Sequence, residues 1–230
     1  MADYSGKRLC NPPLSVTQLA SGRNFVSTQR HDTYPAIDPA KADLDGKVVL
    51  VTGASKGIGK VIALAIAQSG AKGLVLFARS DLSDVKAACL AVQRPGQPLG
   101  VLTVSADIAN NDQVIAGVKK ADETFGRLDV VINNAGYAPL SNSISESDPQ
   151  DWMTAWNINI LGTYHVVRAT LPLILKSDGD KTIINLSSVG AQMIFPGWSA
   201  YQVISHSVIE CPTTDAIFFI DLEARDFTLH

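Results

Sequence analysis

From Leu44 onward the apolar residues fall into two alternating rhythms. Short solid runs at Val48 to Thr52, Leu74 to Ala78, Val101 to Val104, Asp129 to Ile132 and Ile183 to Leu186 read as strands buried on both faces. Between them the spacing becomes helical. Ile58, Ile62 and Ile66 stand four apart, and Gly70 offers a helix stop. Ser80 or Asp81 can open a helix from about Leu82 to Val92, which Pro95-Gly96 closes. Asn111 or Asp112 begins another, with Val114, Ile115 and Val118 on one face and Gly126 at its end. A long helix runs from about Asp151 to Lys176, with Pro172 tightening or kinking its last turns. Strand and helix in this order predict an α/β fold, a doubly wound parallel sheet covered on both faces in three layers. Each crossover is expected to be right-handed.

Residues 1–43 show no sustained period and carry Pro12, Pro13, Pro35 and Pro39, so they read as a flexible N-terminal arm. Arg8, Arg23 and Arg30 among Ser and Thr resemble an organelle transit peptide faintly, but Asp3 and the lack of an amphipathic helix favour a cytoplasmic tail. The net charge of −3 suggests no nucleic-acid partner. No apolar run reaches the roughly eighteen residues of a membrane span. Cys10, Cys89 and Cys211 are too few and too scattered for a disulfide framework or a zinc site, and no metal ligand set is expected.

Chemistry concentrates first at Thr52-Gly53-Ala54-Ser55-Lys56-Gly57-Ile58-Gly59, between the first strand and the first helix. Gly53 permits a tight turn, while Gly57 and Gly59 let a phosphate approach the backbone and the helix pack on the strand. N–H groups at the helix start then face an anion that the helix dipole favours. Asp107 follows the third strand, where a carboxylate either contacts a ligand in the crevice or caps the next helix. Asn133-Asn134-Ala135-Gly136 follows the fourth, with amides able to tie strands together or touch a cofactor. Asn159 lies among the apolar residues of the long helix and needs partners if buried. Ser188 ends the fifth strand, and Tyr201 stands thirteen residues on.

These motifs resemble the short-chain dehydrogenase/reductase family, from about Leu44 to Gln202. Thr52 to Gly59 matches the family's cofactor motif, with Gly53, Ser55, Lys56, Gly57, Ile58 and Gly59 at the dinucleotide. The resemblance implies a Rossmann-like fold and hydride transfer between a nicotinamide and a small-molecule ketone or secondary alcohol. It places Asp107 at the adenine and Asn134 beside the cofactor, and makes Asn159, Ser188 and Tyr201 the catalytic set. Tyr201 would be the general acid or base and Ser188 a donor to the same substrate oxygen. Asn159 would sit on a water chain. It also implies homo-oligomers paired through the long helix and the helix after Tyr201. No carboxylate ends the second strand, whereas Lys56 and Arg79 could converge on a 2′-phosphate, so the expected cofactor is NADP rather than NAD.

The pattern departs from the family after Tyr201. The family reads Tyr-x-x-x-Lys, and this chain reads Tyr201-Gln202-Val203-Ile204-Ser205. A tyrosine without a neighbouring cation still donates a proton but is seldom a base at neutral pH. β-branched Val203, Ile204, Val208 and Ile209 lead to Cys211-Pro212 and argue against a stable helix there. Residues 202–230 therefore read as an atypical tail, such as a frame change, a splicing error or a truncated isoform would leave. Two further parallel strands belong to the family pattern. Ala216 to Ile220 offers one short candidate, too close to Tyr201 for an easy helical crossover. The expected sheet is incomplete at one edge, with the fifth strand near that edge and poorly covered. Two functions follow, an NADP-dependent oxidoreductase of doubtful competence and a silent cofactor-binding fragment acting through partners.

Overall fold

The computed structural model describes residues 34–179, 181–191, 196–209 and 217–222, and the side chains of 189, 206–209 and 217–222 are not among those described. Residues 1–33 of the expected arm lie outside that set. Pro39–Lys41 forms a short 3₁₀ turn capped by Asp38. Arg94 holds this stretch by donating to the carbonyls of Ala40 and Ala42, and the Ser69 hydroxyl donates to the Pro39 carbonyl.

Strands β1 (Val48–Thr52), β2 (Gly73–Ala78), β3 (Gly100–Ser105), β4 (Val130–Asn133), β5 (Thr182–Ser188) and β6 (Ile217–Leu222) form one six-stranded sheet in the order β3-β2-β1-β4-β5-β6. Every neighbouring pair is parallel. Helices α1 (Gly57–Gln68), α2 (Ser83–Val92), α3 (Asn111–Phe125), α4 (Pro149–Trp156), α5 (Thr163–Lys176) and α6 (Ser199–Ile209) supply the crossovers. The strand order reverses between β1 and β4, and a crevice opens at the carboxyl ends of the strands there.

Strand alternation divides the core in two. Val48, Leu50, Val75 and Phe77 face Val114 and Val118 of α3 and Val166, Val167, Leu173 and Ile174 of α5. Val49, Val51, Leu74 and Leu76 face Ala63 and Ala67 of α1 and Val85 and Cys89 of α2. That is the three-layer arrangement expected. Helix starts differ by a residue or two from the sequence reading, because Asn110 rather than Asn111 or Asp112 caps α3, accepting from the N–H groups of Asp112 and Gln113. Asp81 accepts from the N–H of Ser83 ahead of α2 instead of capping it at Leu82.

The long helix is continuous from Pro149 to Lys176, but Asn157–Gly162 is a π turn between α4 and α5. By length and mean hydropathy this helix could cross a membrane, yet in this fold its apolar side forms core against the sheet.

The C-terminal expectations need correction. α6 forms through Tyr201 and on to Ile209 despite its β-branched residues, because Ala200 and Ile204 are buried and α6 packs on β5, α4 and the π turn. Tertiary burial overrides a weak propensity. β6 also forms, and it pairs with β5 from Ile183↔Ile217 to Ser188↔Leu222. Its crossover starts at Ser188 rather than at Tyr201, which leaves ample chain for a helix. The fifth strand is thus interior and β6 is the edge of the described sheet, one strand short of the number the family resemblance implied. The segment 210–216 lies outside the described residues.

Candidate functional site

A cleft of about 640 Å³ lies over the carboxyl ends of β1, β2, β3, β4 and β5. Gly53, Ser55, Lys56, Gly57, Ile58, Gly59, Arg79, Asp107, Asn134, Asn159, Ser188 and Tyr201 all line it, so the fold brings every residue singled out from the sequence into one place. The reason is topological. In a parallel sheet every strand ends on the same side, so the motifs after β1 to β5 meet there, while the π turn and α6 add Asn159 and Tyr201.

The glycine turn is anchored from across the sheet. The Thr52 hydroxyl accepts from the N–H groups of Asn134 and Ala135 at 3.0 Å each. Asn134 Nδ2 in turn donates to the carbonyls of Thr52 at 2.9 Å and Gly53 at 3.3 Å. Gly53 has φ +65°, and a methyl group on Gly59 would lie 2.3 Å from the Gly53 carbonyl oxygen. No larger residue fits between turn and helix. Helix α1 begins with no side-chain cap at Lys56, unlike α3 and α4, so its first N–H groups are left for an acceptor in the cleft. These are the features a pyrophosphate needs, and the residues present fit a dinucleotide. Asn134 serves as the brace of that turn.

At the far end, Arg79 Nη1 stands 3.8 Å from Asp107 Oδ2, an exposed and therefore weak pair. Asp107 Oδ1 accepts from the Ala109 N–H at 3.0 Å, so its carboxylate shapes the loop while Asn110 does the capping. Asn133 is 5 % exposed and Asn185 2 %. Asn133 Nδ2 donates to Asn185 Oδ1 at 2.8 Å, and Asn133 Oδ1 finds no partner among the described residues. An orphaned acceptor at the cleft floor suits a bound donor. Asn185 was not singled out from the sequence, since one asparagine in a strand carries no signal without its cross-strand partner.

Asn159 spends its side-chain amide on the loop after β4. Its Oδ1 accepts from the Tyr137 N–H at 2.8 Å and its Nδ2 donates to the Tyr137 carbonyl at 2.7 Å. Both ends of the amide therefore clamp one residue of the loop after β4. The wide π turn carries Asn159 to that position, as such turns often do at functional sites.

Ser188 is buried, and its hydroxyl accepts from the Gly190 N–H at 3.1 Å. A methyl group on Gly190 would come within 3.2 Å of the Tyr201 ring and 3.5 Å of Ser188 Oγ, so Ser188 and Tyr201 flank that glycine. The Tyr201 ring is held edge-on by Trp198, with centroids 5.9 Å apart at 72°. Ser205 lies one turn on, in the cleft wall as the family's lysine position would be. Its hydroxyl donates to the Tyr201 carbonyl at 2.7 Å, and the Ser187 hydroxyl donates to the Ser205 carbonyl. Lys56 and Arg79, at the opposite end, are the only cations among the described residues lining the cleft.

Comparison with known proteins agrees with this geometry. The family model described as short chain dehydrogenase matches residues 47–208. The short chain dehydrogenase mpl6 of Monascus purpureus is 44 % identical over 185 residues, covering 80 % of this chain and 63 % of its own length. The short chain dehydrogenase pigC of Monascus ruber is 38 % identical over 206 residues, covering 86 % and 67 %. Among solved structures, an NAD⁺-bound xylitol dehydrogenase superposes with a TM-score of 0.65 at 25 % identity, covering 73 % of this chain and 62 % of that one. The chain thus spans less than two thirds of the length of the first of these relatives. With the glycine turn, the Asn-Asn-Ala-Gly brace and the serine–tyrosine pair all meeting in one cleft, the chain belongs to the short-chain dehydrogenase/reductase family of oxidoreductases, which bind a nicotinamide cofactor and act on small molecules.

Proposed function

We propose that this chain binds NADP(H) and interconverts a ketone and its secondary alcohol far more slowly than relatives with a lysine one turn after the tyrosine. The bound nicotinamide would supply or take up the hydride. Ser188 would hold the substrate oxygen with its hydroxyl, and Tyr201 would give that oxygen its proton as the carbonyl is reduced. Gly57, Ile58 and Gly59 would receive the pyrophosphate, and Asn134 would keep their turn in place. What supports NADP over NAD is Lys56 and Arg79 at the same end of the cleft, with no carboxylate closing β2. Asp107 counts against full use of Arg79, since it already pairs with that guanidinium.

One observation carries the low rate. Ser205 occupies the cleft wall beside Tyr201, its hydroxyl is committed to a backbone carbonyl, and it brings no charge. Positioned acid–base catalysis contributes about 10²–10⁴-fold, and a large part of that rests on a charged neighbour for the tyrosine. The same observation favours the second reading, a cofactor-binding chain with no turnover that acts through partners. Calorimetric titration with NADPH, run beside turnover of a panel of ketones, separates the two. Saturable NADPH binding with slow turnover is expected, and turnover within the ordinary range of about 1–10³ s⁻¹ would refute the proposal. Since α6 delivers residue 205 to the cleft, Ser205→Lys should raise turnover at least about tenfold.

A further inference from the structure

Beside the cofactor cleft is a second cavity of about 450 Å³, between the loop after β4, the start of α4 and the residues leading into α6. Its lining abuts that of the cleft at two points along the chain. Tyr137 lines this cavity while Gly136 lines the cleft, and Ala200 lines it while Tyr201 lines the cleft. A molecule with its carbonyl at Ser188 and Tyr201 would extend its remainder here. The size lies within the usual range for small-molecule sites.

Its chemistry is one-sided. Tyr137, Trp152 and Trp198 supply aromatic wall, and the only charged residues lining it are Asp148 and Asp151, with no lysine, arginine or histidine among the described residues. Both carboxylates are fixed. Asp148 Oδ1 accepts from the Gln150 N–H at 2.9 Å as the cap of α4. Asp151 accepts from the Tyr137 phenol, whose backbone Asn159 clamps from the other side. That bond, with burial and the nearby carboxylate charge, raises the Tyr137 pKa, so the phenol stays a donor. The wall opposite is also pinned, because the Asn142 N–H donates to the Gly197 carbonyl at 3.0 Å. Trp198 stays 38 % exposed while its edge packs on Tyr201.

We infer that this cavity receives the body of an uncharged carbonyl compound carrying a planar ring system, and that Asp148 and Asp151 reject acidic ones. Fixed aromatic walls favour a flat apolar body. A carboxylate entering would meet two like charges with no cation among the described lining residues to offset them. The inference rests on the oxidoreductase reading of the adjoining cleft, since that is what places the carbonyl.

The test compares 2-acetonaphthone with 6-acetyl-2-naphthoate, titrated calorimetrically into the full chain at pH 7 and low salt, with NADPH titrated in parallel. The neutral ketone should bind at least about tenfold more tightly than the acid, a difference of about 1.4 kcal/mol. Asp148→Asn combined with Asp151→Asn should shrink that gap to about threefold or less. Asparagine caps a helix as well as aspartate does, so α4 keeps its start. Leu140→Arg, at a lining residue that is 83 % exposed, tests the same charge logic without touching the caps, and should bring the acid to parity. Equal binding of the two probes by the unmodified chain overturns the inference, as does failure to bind either, or a gap that survives in both variants. If the gap holds but NADPH does not bind, the oxidoreductase reading fails and with it the placing of the carbonyl, while the cavity's selection against acids stands. If NADPH binds and no gap exists, only the cavity assignment fails.

Discussion

Replacing Gly59 by alanine should separate folding from cofactor binding. A methyl group there would stand 2.3 Å from the Gly53 carbonyl oxygen, 2.5 Å from Asn134 Nδ2 and 2.9 Å from the Gly53 carbonyl carbon. Real Cβ contacts do not fall below 3.0 Å, and two of these neighbours are backbone atoms that no rotamer change can move. The turn must retreat, straining the two bonds by which Asn134 Nδ2 holds the Thr52 and Gly53 carbonyls. Such overpacking costs about 1–3 kcal/mol, offset by the roughly 1 kcal/mol that alanine gains over glycine in a helix. Net stability therefore changes by no more than about 2 kcal/mol in urea unfolding. Binding should change more. Donors that miss a phosphate forfeit about 1.5–3 kcal/mol for each charge-assisted hydrogen bond, so the NADPH Kd should rise at least about tenfold. Gly46→Ala is the control. Gly46 has φ +70° and open space around it, away from the cleft, so its substitution costs backbone strain and leaves Kd unchanged. If Gly59→Ala bound NADPH within twofold of the unmodified chain, the assignment of this turn to the pyrophosphate would be wrong.

Asp129 and Arg79 give two further tests. Asp129 has no solvent exposure and accepts from the Val48 N–H at 2.8 Å, from Arg127 Nε at 3.0 Å and Nη2 at 2.6 Å, and from the Ser177 hydroxyl, joining β1, β4 and the end of α5. Burial alone would raise its pKa, but the bonds from Arg127, Ser177 and Val48 outweigh it and leave the pKa lowered. A lowered native pKa means the stabilisation is complete at neutral pH and is lost as pH falls below the ordinary carboxylate range, through the native value. Asp129→Ala should cost about 2–4 kcal/mol in urea unfolding at pH 7, less than a fully buried pair because Arg127 is 34 % exposed, and the deficit should narrow in acid. A deficit that stayed constant from neutral pH to pH 2 would contradict this. Arg79→Asp should weaken NADPH binding about tenfold or more and NADH binding little, and equal losses for both would remove Arg79 from cofactor selection.

The sequence by itself determined the order of strands and helices, and with it the parallel sheet. Solid apolar runs such as Val48 to Thr52 demand cover on both faces, and only helices of the right length lie between them. Since parallel strands end on one side, the motifs after β1, β3, β4 and β5 had to share a crevice, and the family resemblance added Asn159 and Tyr201 to it. What the side chains do there was decided by tertiary contacts. Nothing local says that both ends of the Asn159 amide are spent on Tyr137, twenty-two residues away, or that Asn133 shares its amide with Asn185. The Asp129 latch and the Tyr137–Asp151 pair likewise depend on which groups the fold sets side by side. The C-terminal region makes the same point about stability. Propensity argued against a helix around Val203 and Ile204, but propensities amount to tenths of a kcal/mol per residue, whereas burying an isoleucine gains about 1.5–3 kcal/mol. Ile204, 1 % exposed in the helix that packs on β5 and the π turn, tips that balance, and so α6 carries both Tyr201 and Ser205 into the cleft.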